Sequence, residues 1–313
     1  MPDTLAATDS VRLAGYQGGG SILTAALRHL AEQLDAAGWR PPVTFEADVT
    51  ASGEKATALF ASLEDGTRQI GYMASSYLSA RVPALGVLDL PFSVHDRARA
   101  LAALDGRAGA LLREAVAQNT GLHVLGFWDN GFRHVSNALR PLRTPADCTG
   151  LVIRTLDNTL YRTLLDALGF RAVTTDVKDL VQAVASGAVQ AQENPLTNLI
   201  SFGLWRHHPH VSLTSHLFGV LLLVCPRAWH ARLAPRQRSA LQEAVHSATT
   251  LQRRLAAAQD GEALAQLRAH GVQVLGPQDI DLPAWRAAAE PLHAAQCSSL
   301  APELLAAYLP PQH

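Results

Sequence analysis

From Pro235 to His270 the chain carries no further proline and one glycine, Gly261. Leu241, Val245, Ala248, Leu251, Leu255, Leu264 and Leu267 recur there at approximately helical spacing. Pro235 suits a first helical position, and Gly271 suits a helix end. A helix of ~34 residues would be ~50 Å long, beyond the ~30 Å width of a small domain. Such an element must run along two domains. A pair of helices broken at Asp260-Gly261 fits the same pattern, and both readings stay open at this point. The length of 313 residues itself suits two domains of roughly 150 residues.

Upstream, strand and helix signals alternate. Segments 11–16, 43–49 and 68–73 read as strands. Between them, 22–38 reads as an amphipathic helix with Leu23, Leu27, Leu30 and Leu34 on one face, Ser21 as N-cap and Gly38 as its stop. Segment 54–66 reads as a second helix. Further on, 97–121 is helical, 122–128 returns to strand, and a proline-containing turn precedes a short strand at 151–155. Helices over 158–169 and 177–187 flank 171–176, which is strand or loop, and 189–195 is again strand-like. This alternation predicts an α/β fold with a mostly parallel sheet and helices on its faces.

Hydrophobic residues make up 48% of the chain, enough for real cores. Charged residues are 17% and the net charge is -1, so no nucleic-acid or membrane-surface partner is indicated and any binding charge must be local. Cys148, Cys225 and Cys297 stand far apart and form no CxxC pair. They read as small apolar residues, with one disulfide left open by an oxidising compartment. Residues 1–10 lack the basic and apolar regions of a secretory leader. The longest apolar run, near 219–225, is too short to span a bilayer.

Several motifs are set aside. GYQGGGS (15–21) has no Lys-Ser/Thr after it and fails the dinucleotide register at Leu23, so no cofactor is implied. WRHHPH (205–210) lacks a carboxylate or cysteine ligand at helical spacing and reads as a solvated loop rather than a metal site. No GxSxG, HExxH or HxE…CxxC pattern occurs.

Four stretches carry a family resemblance: VLDLPF (87–92), GFRHVSNALRPLRTPADCTGLVIRT (131–155), DALGFRAVTTDVKDLVQAVASGAVQAQENPL (166–196) and LTSHLF (213–218). In order and spacing they resemble the DctP-type solute-binding proteins of TRAP transporters, over about 85–260. Residues 11–80 fit the same plan with fewer diagnostic residues, and the last 40 add little. The resemblance implies a periplasmic-binding-protein-like fold of two α/β domains, joined by crossing strands and a long helix spanning both. It implies a ligand cleft between 11–130 plus 219–258 and 131–218 plus the remainder, 259–313. It also implies a periplasmic location, a small carboxylate ligand, a membrane permease as partner and no catalysis; some relatives are homodimers. An enzyme of organic acids on the same architecture and a sensory or scavenging module for such acids are the rivals.

Within that frame Arg154 falls on the family's carboxylate-clamping arginine. It ends a strand, where α/β folds present groups to ligands, and its planar fork matches two carboxylate oxygens. Read without that resemblance, Arg154 is a surface arginine balancing Asp157. Asn194 matches a ligand-facing asparagine and is also a turn-former before Pro195. Arg133 matches a second ligand-proximal arginine, with a hinge arginine tied to backbone carbonyls as the competing role. Gln17 with the N–H groups of 18–21, Ser75, Ser76 and Tyr77 are candidate polar contacts. Phe127, Trp128 and Phe218 are candidate apolar walls, or core. Thr175 and Asp176 add candidate polar contacts. Val177 stands where the family commonly has an aromatic residue, and Leu156 where many relatives have proline.

Overall fold

The computed structural model describes residues 10–309. The leader-free reading of residues 1–10 therefore falls, Ser10 apart, outside the described residues. In chain order the elements are β1 (Val11–Ala14), α1 (Ile22–Ala36), β2 (Val43–Glu46), α2 (Ala58–Glu64), β3 (Ile70–Ala74), α3 (Arg97–Asp105), α4 (Arg107–Asn119), β4 (Leu122–Asn137), β5 (Val152–Thr155), α5 (Thr159–Ala167), β6 (Arg171–Thr174), α6 (Val177–Ala185), β7 (Ala191–Pro195), α7 (Leu196–Ser201), β8 (His210–Pro226), α8 (Arg227–Arg232), α9 (Pro235–Ala269), β9 (Gln273–Leu275), α10 (Leu282–Ser299) and α11 (Pro302–Tyr308). Short 3₁₀ turns, among them Ser75–Tyr77 and Pro83–Asp89, join some of them. The single helix expected over 97–121 is two, because the backbone at Gly106 leaves helical geometry (φ -101°, ψ -138°).

The chain packs as two compact units. The first holds the residues up to Ala74, Arg113–Trp128 and Leu221–Leu255; the second holds Ser75–Leu112, Asp129–Val220 and the residues from Ala256 onward. The expected division kept all of 11–130 in one lobe. Ser75–Leu112 groups instead with the second unit, and its bonds say why. The Phe92 amide donates to the His216 carbonyl at 2.9 Å. The Tyr161 hydroxyl donates to Asp89 at 3.0 Å, and the Asn158 amide donates to the Ser76 carbonyl at 2.7 Å.

In the first unit β1 runs parallel to both β2 and β3, and β3 pairs antiparallel with the end of β8. Leu23, Leu27, Leu30 and Leu34 of α1 are all buried, and the Ser21 hydroxyl accepts the Leu23 amide at 3.1 Å as the N-cap. Each such leucine contributes about 1.5–3 kcal/mol on burial. In the second unit β5 lies between β6 and β7, parallel to both, and β7 pairs antiparallel with the end of β4. Beneath them Ile153, Leu164, Leu165, Leu168 and Trp285 share one apolar cluster.

Two strands contribute to both units. β4 changes unit after Trp128, and β8 after Val220. Just past the first change Gly131 has φ +85°, which favours glycine. A Cβ on Gly219 would stand 3.0 Å from the Asn130 Cβ, so a side chain there would press on β4. Only the apolar run of β8 was visible as a pattern; the strand is 17 residues long.

The helix α9 is continuous over 35 residues, and Gly271 (φ +79°) follows its end. Its buried line is Leu241, Val245, Ala248, Gln252, Ala256, Ala263 and Leu267, while Leu251, Leu255 and Leu264 are only half-buried. All three cysteines are free thiols. Among the described residues no helix is long and apolar enough to cross a membrane. Gly261 is exposed, and a Cβ there would meet nothing within 4 Å. Gly261→Ala should therefore stabilise the protein by about 0.5–1 kcal/mol. Urea unfolding checks this, and a loss of stability would contradict a continuous helix at that point.

Candidate functional site

The second unit concentrates buried charge where β4, β5 and β7 run side by side. Arg154 is the third residue of β5, opposite Val173 on β6 and Gln192 on β7. Strand alternation sends Ile153 into the apolar cluster and leaves Arg154 on the other face. The residue is 2% exposed. Its Nε and Nη2 donate to a single acceptor, the Thr175 carbonyl oxygen, at 2.9 and 2.5 Å. Thr175 is fixed in turn by its own amide, which donates to the Thr155 carbonyl at 3.1 Å. Among the described residues no carboxylate stands within ion-pair distance of Arg154. Burial lowers its pKa; Tyr77 and Glu193 pull it up from a distance, and Arg133 pushes it down.

Arg133 is built differently. Its guanidinium, 3% exposed, donates Nε to Glu193 and Nη2 to Glu193 Oε1 at 2.9 Å, and Nη2 also reaches the Glu193 carbonyl at 3.0 Å. The Thr155 hydroxyl donates to Glu193 Oε1 at 2.7 Å. Burial alone would raise the Glu193 carboxyl, but Arg133 and His216 outweigh it and hold it at about 2. His216 Nε2 lies 3.5 Å from Glu193 Oε2; burial lowers the imidazole pKa, so this is a contact of a neutral ring rather than an ion pair. The Arg133 charge is thus cancelled inside the protein, and that of Arg154 is not. The reading of Arg133 as an arginine tied to backbone carbonyls holds in part: one carbonyl is used, but the principal partner is a carboxylate.

The other sequence candidates fall as follows. Asn194 is 5% exposed; its amide donates to Gln192 Oε1 at 2.6 Å, and its Oδ1 accepts from Asn198 at 3.0 Å and from Arg133 at 3.4 Å. Tyr77 is half-buried against the apolar cluster; burial raises its phenol pKa and Arg154 opposes that rise. Ser75 is buried in the turn before it. Asp176 caps α6 by accepting the Lys178 amide at 3.1 Å, and Val177 begins that helix. Phe218 packs against Phe132 with ring centroids 5.0 Å apart. These residues share the second unit.

Gln17, Phe127 and Trp128 belong to the first unit. Gln17 is buried, and its Oε1 accepts from Ser21 at 2.6 Å. Trp128 is fully buried, stacks at a tilt on Tyr72 (5.5 Å) and donates Nε1 to Thr249 at 3.1 Å.

Two groups escaped the sequence reading. Glu193 sits beside Asn194 in QENP, but its partner becomes evident only through the β4–β7 register, which sets Val135 against Glu193 and His134 against Asn194. Asp89 is buried with Tyr161 donating to it, and burial pushes its carboxyl up to about 7. A lone acid within the apolar VLDLPF was the available signal. The loop expected over 205–210 is not wholly solvated either. His208 is fully buried, with Nδ1 2.9 Å from the Ser136 hydroxyl, because the chain there turns in to begin β8. Among the described residues no group of three or more His, Cys, Asp or Glu is arranged to hold a metal.

Solved structures of TRAP periplasmic solute-binding proteins share this architecture. The TRAP periplasmic solute-binding protein of Roseobacter denitrificans, with bound β-D-glucuronate, superposes with a TM-score of 0.90 at 25% identity, covering 97% of this chain and 100% of that one. That of Polaromonas sp. JS666, bound to D-erythronate, gives 0.90 at 22% identity over 97% and 99%, a likeness of fold. The fold is therefore that of a TRAP solute-binding protein. In sequence, a solute-binding protein of Verminephrobacter eiseniae is 32% identical over 231 residues, 73% of this chain and 68% of the relative. The 2,3-diketo-L-gulonate-binding periplasmic protein of Escherichia coli is 29% identical over 72% and 68%. The chain belongs to the bacterial extracellular solute-binding protein family 7, DctP, whose model matches residues 47–299.

Breaking a buried pair leaves one charge uncompensated, at a cost of about 3–5 kcal/mol. Glu193→Gln should therefore lose about that much in chemical denaturation, and a loss below about 1 kcal/mol would refute the structural role given to the pair.

Proposed function

We propose that this chain captures a small organic acid through its carboxylate, with Arg154 as the principal clamp, and passes it to a TRAP membrane permease without transforming it. One observation carries the reading: a guanidinium that is 2% exposed makes, among the described residues, hydrogen bonds to one neutral carbonyl alone. A buried charge is costly unless paired. A carboxylate offers the two parallel acceptors and the opposite charge that the fork lacks. In a site shielded from water the attraction is stronger than in bulk.

Around that clamp, Tyr77 and Asn194 are proposed to orient the ligand, with Phe218 as an apolar wall and Thr175 fixing the arginine. Arg133 acts by holding Asn194 and Glu193 in place. The ligands and names of these relatives support the chemical class: glucuronate, erythronate and diketogulonate are all carboxylates bearing oxygen functions. Family membership supports a location outside the cytoplasm, and we propose the periplasm.

Calorimetry with C4-dicarboxylates, keto acids, aldonates and uronates tests the proposal. One class should bind, and Arg154→Ala should weaken the best ligand by roughly 100-fold or more. Arg154→Lys, which keeps the charge and loses the fork, should fall between. Unchanged affinity in Arg154→Ala would overturn the assignment.

A further inference from the structure

Within the first unit α4, β4, α8 and the start of α9 border a cavity of about 340 Å³, with Arg113, His123, Val124, His230, Arg238 and Leu241 among its walls. Two arginines and two histidines face it, and among the described residues its lining holds no acidic side chain. Guanidinium forks facing one small space offer the paired N–H donors that fit the two oxygens of a carboxylate. The rest of the wall is largely apolar: Val124 and Leu241 are buried, and Leu125 and Val245 extend the same surface. Sites of this size with a few polar groups on an apolar wall suit small organic ligands.

The histidines sharpen the choice. The rings of His123 and His230 stack with centroids 4.0 Å apart and planes 16° off parallel. Imidazole lone pairs lie in the ring plane, so stacked rings do not converge on a metal. They present a flat face and N–H edges instead. Burial, with His230 and the two arginines beside it, holds His123 at about 4 and therefore neutral at physiological pH. The arginines are steadied from behind: Arg113 lies over the Phe127 ring at 5.0 Å, and Arg238 donates to the Leu233 carbonyl at 3.4 Å.

We propose that this cavity is a second anion site, separate from Arg154, that takes a small organic carboxylate with a flat aromatic body. Its carboxylate would lie toward Arg113 and Arg238, and its ring against Val124, Leu241 and the histidine pair. Benzoate is the simplest probe.

The imidazole resonances of His123 and His230 in the ¹⁵N-labelled full chain, titrated with benzoate at pH 7, provide the test. Saturable shifts are expected in the wild type and equally in Arg154→Ala. In an Arg113→Gln/Arg238→Gln double variant the affinity should fall at least tenfold. Arg238→Gln alone, an exposed helical position, should weaken binding severalfold in a protein that unfolds at the wild-type temperature. Absence of saturation, loss of the shifts in Arg154→Ala, or unaltered binding in the arginine variants would overturn the proposal. So would inorganic phosphate saturating the same shifts as readily as benzoate, since the apolar wall would then have no role.

Discussion

The second unit depends on the bond between Arg133 and Glu193. It joins β4 to β7 through side chains as well as backbone, and the Thr155 hydroxyl brings β5 into the same carboxylate. Two buried charges are tolerable only when each satisfies the other and the remaining lone pairs are used. Here Glu193 accepts from two residues, and Arg133 adds a carbonyl and the edge of Asn194. With one arginine neutralised in this way, Arg154 is the guanidinium of these strands that has no carboxylate partner among the described residues. Two arginines that look equivalent as motif residues are thereby given opposite physical roles.

Around that pair the family motifs are joined by main-chain contacts. VLDLPF meets LTSHLF where the Phe92 amide donates to the His216 carbonyl, and Phe92 and Ser215 both adopt positive φ, 54° and 46°. Non-glycine residues hold such angles only where the surroundings over-determine them. Arg140 donates to the Asp147 and Thr149 carbonyls, and Asp147 accepts the Arg143 and Thr144 amides, so the proline-containing turn before β5 is held as a fixed bracket. That bracket sets where β5 begins, and therefore where Arg154 stands.

Much of this was legible in the residues. Leucine spacing located α1, the glycines at 38 and 271 marked helix ends, and the proline-free stretch outlined the span of α9 while leaving a break at Asp260-Gly261 open. The family resemblance, rather than LVIR by itself, pointed to Arg154. Other features depend on pairing across long sequence distances. Glu193 is 60 residues from Arg133, and no local pattern reveals which carboxylate neutralises which arginine. Leu251, Leu255 and Leu264 were expected on the buried line of α9. Gln252, Ala256 and Ala263 fill it instead, because close packing there favours small residues and tertiary contact overrides simple hydrophobicity. The grouping of Ser75–Leu112 follows from bonds to Asn158, Tyr161 and His216, which nothing within that segment announces.

The central claim, that the protein alone leaves the Arg154 charge uncompensated, is tested most directly by thermal unfolding of Arg154→Met beside the wild type. Each is measured ligand-free and with a saturating concentration of the acid that binds best. The ligand-free variant should unfold at or above the wild-type temperature, since a buried charge has been replaced by an apolar chain of similar length. The acid should raise the unfolding temperature of the wild type only. A ligand-free variant that unfolds many degrees lower, or that the acid stabilises as it does the wild type, would contradict that claim.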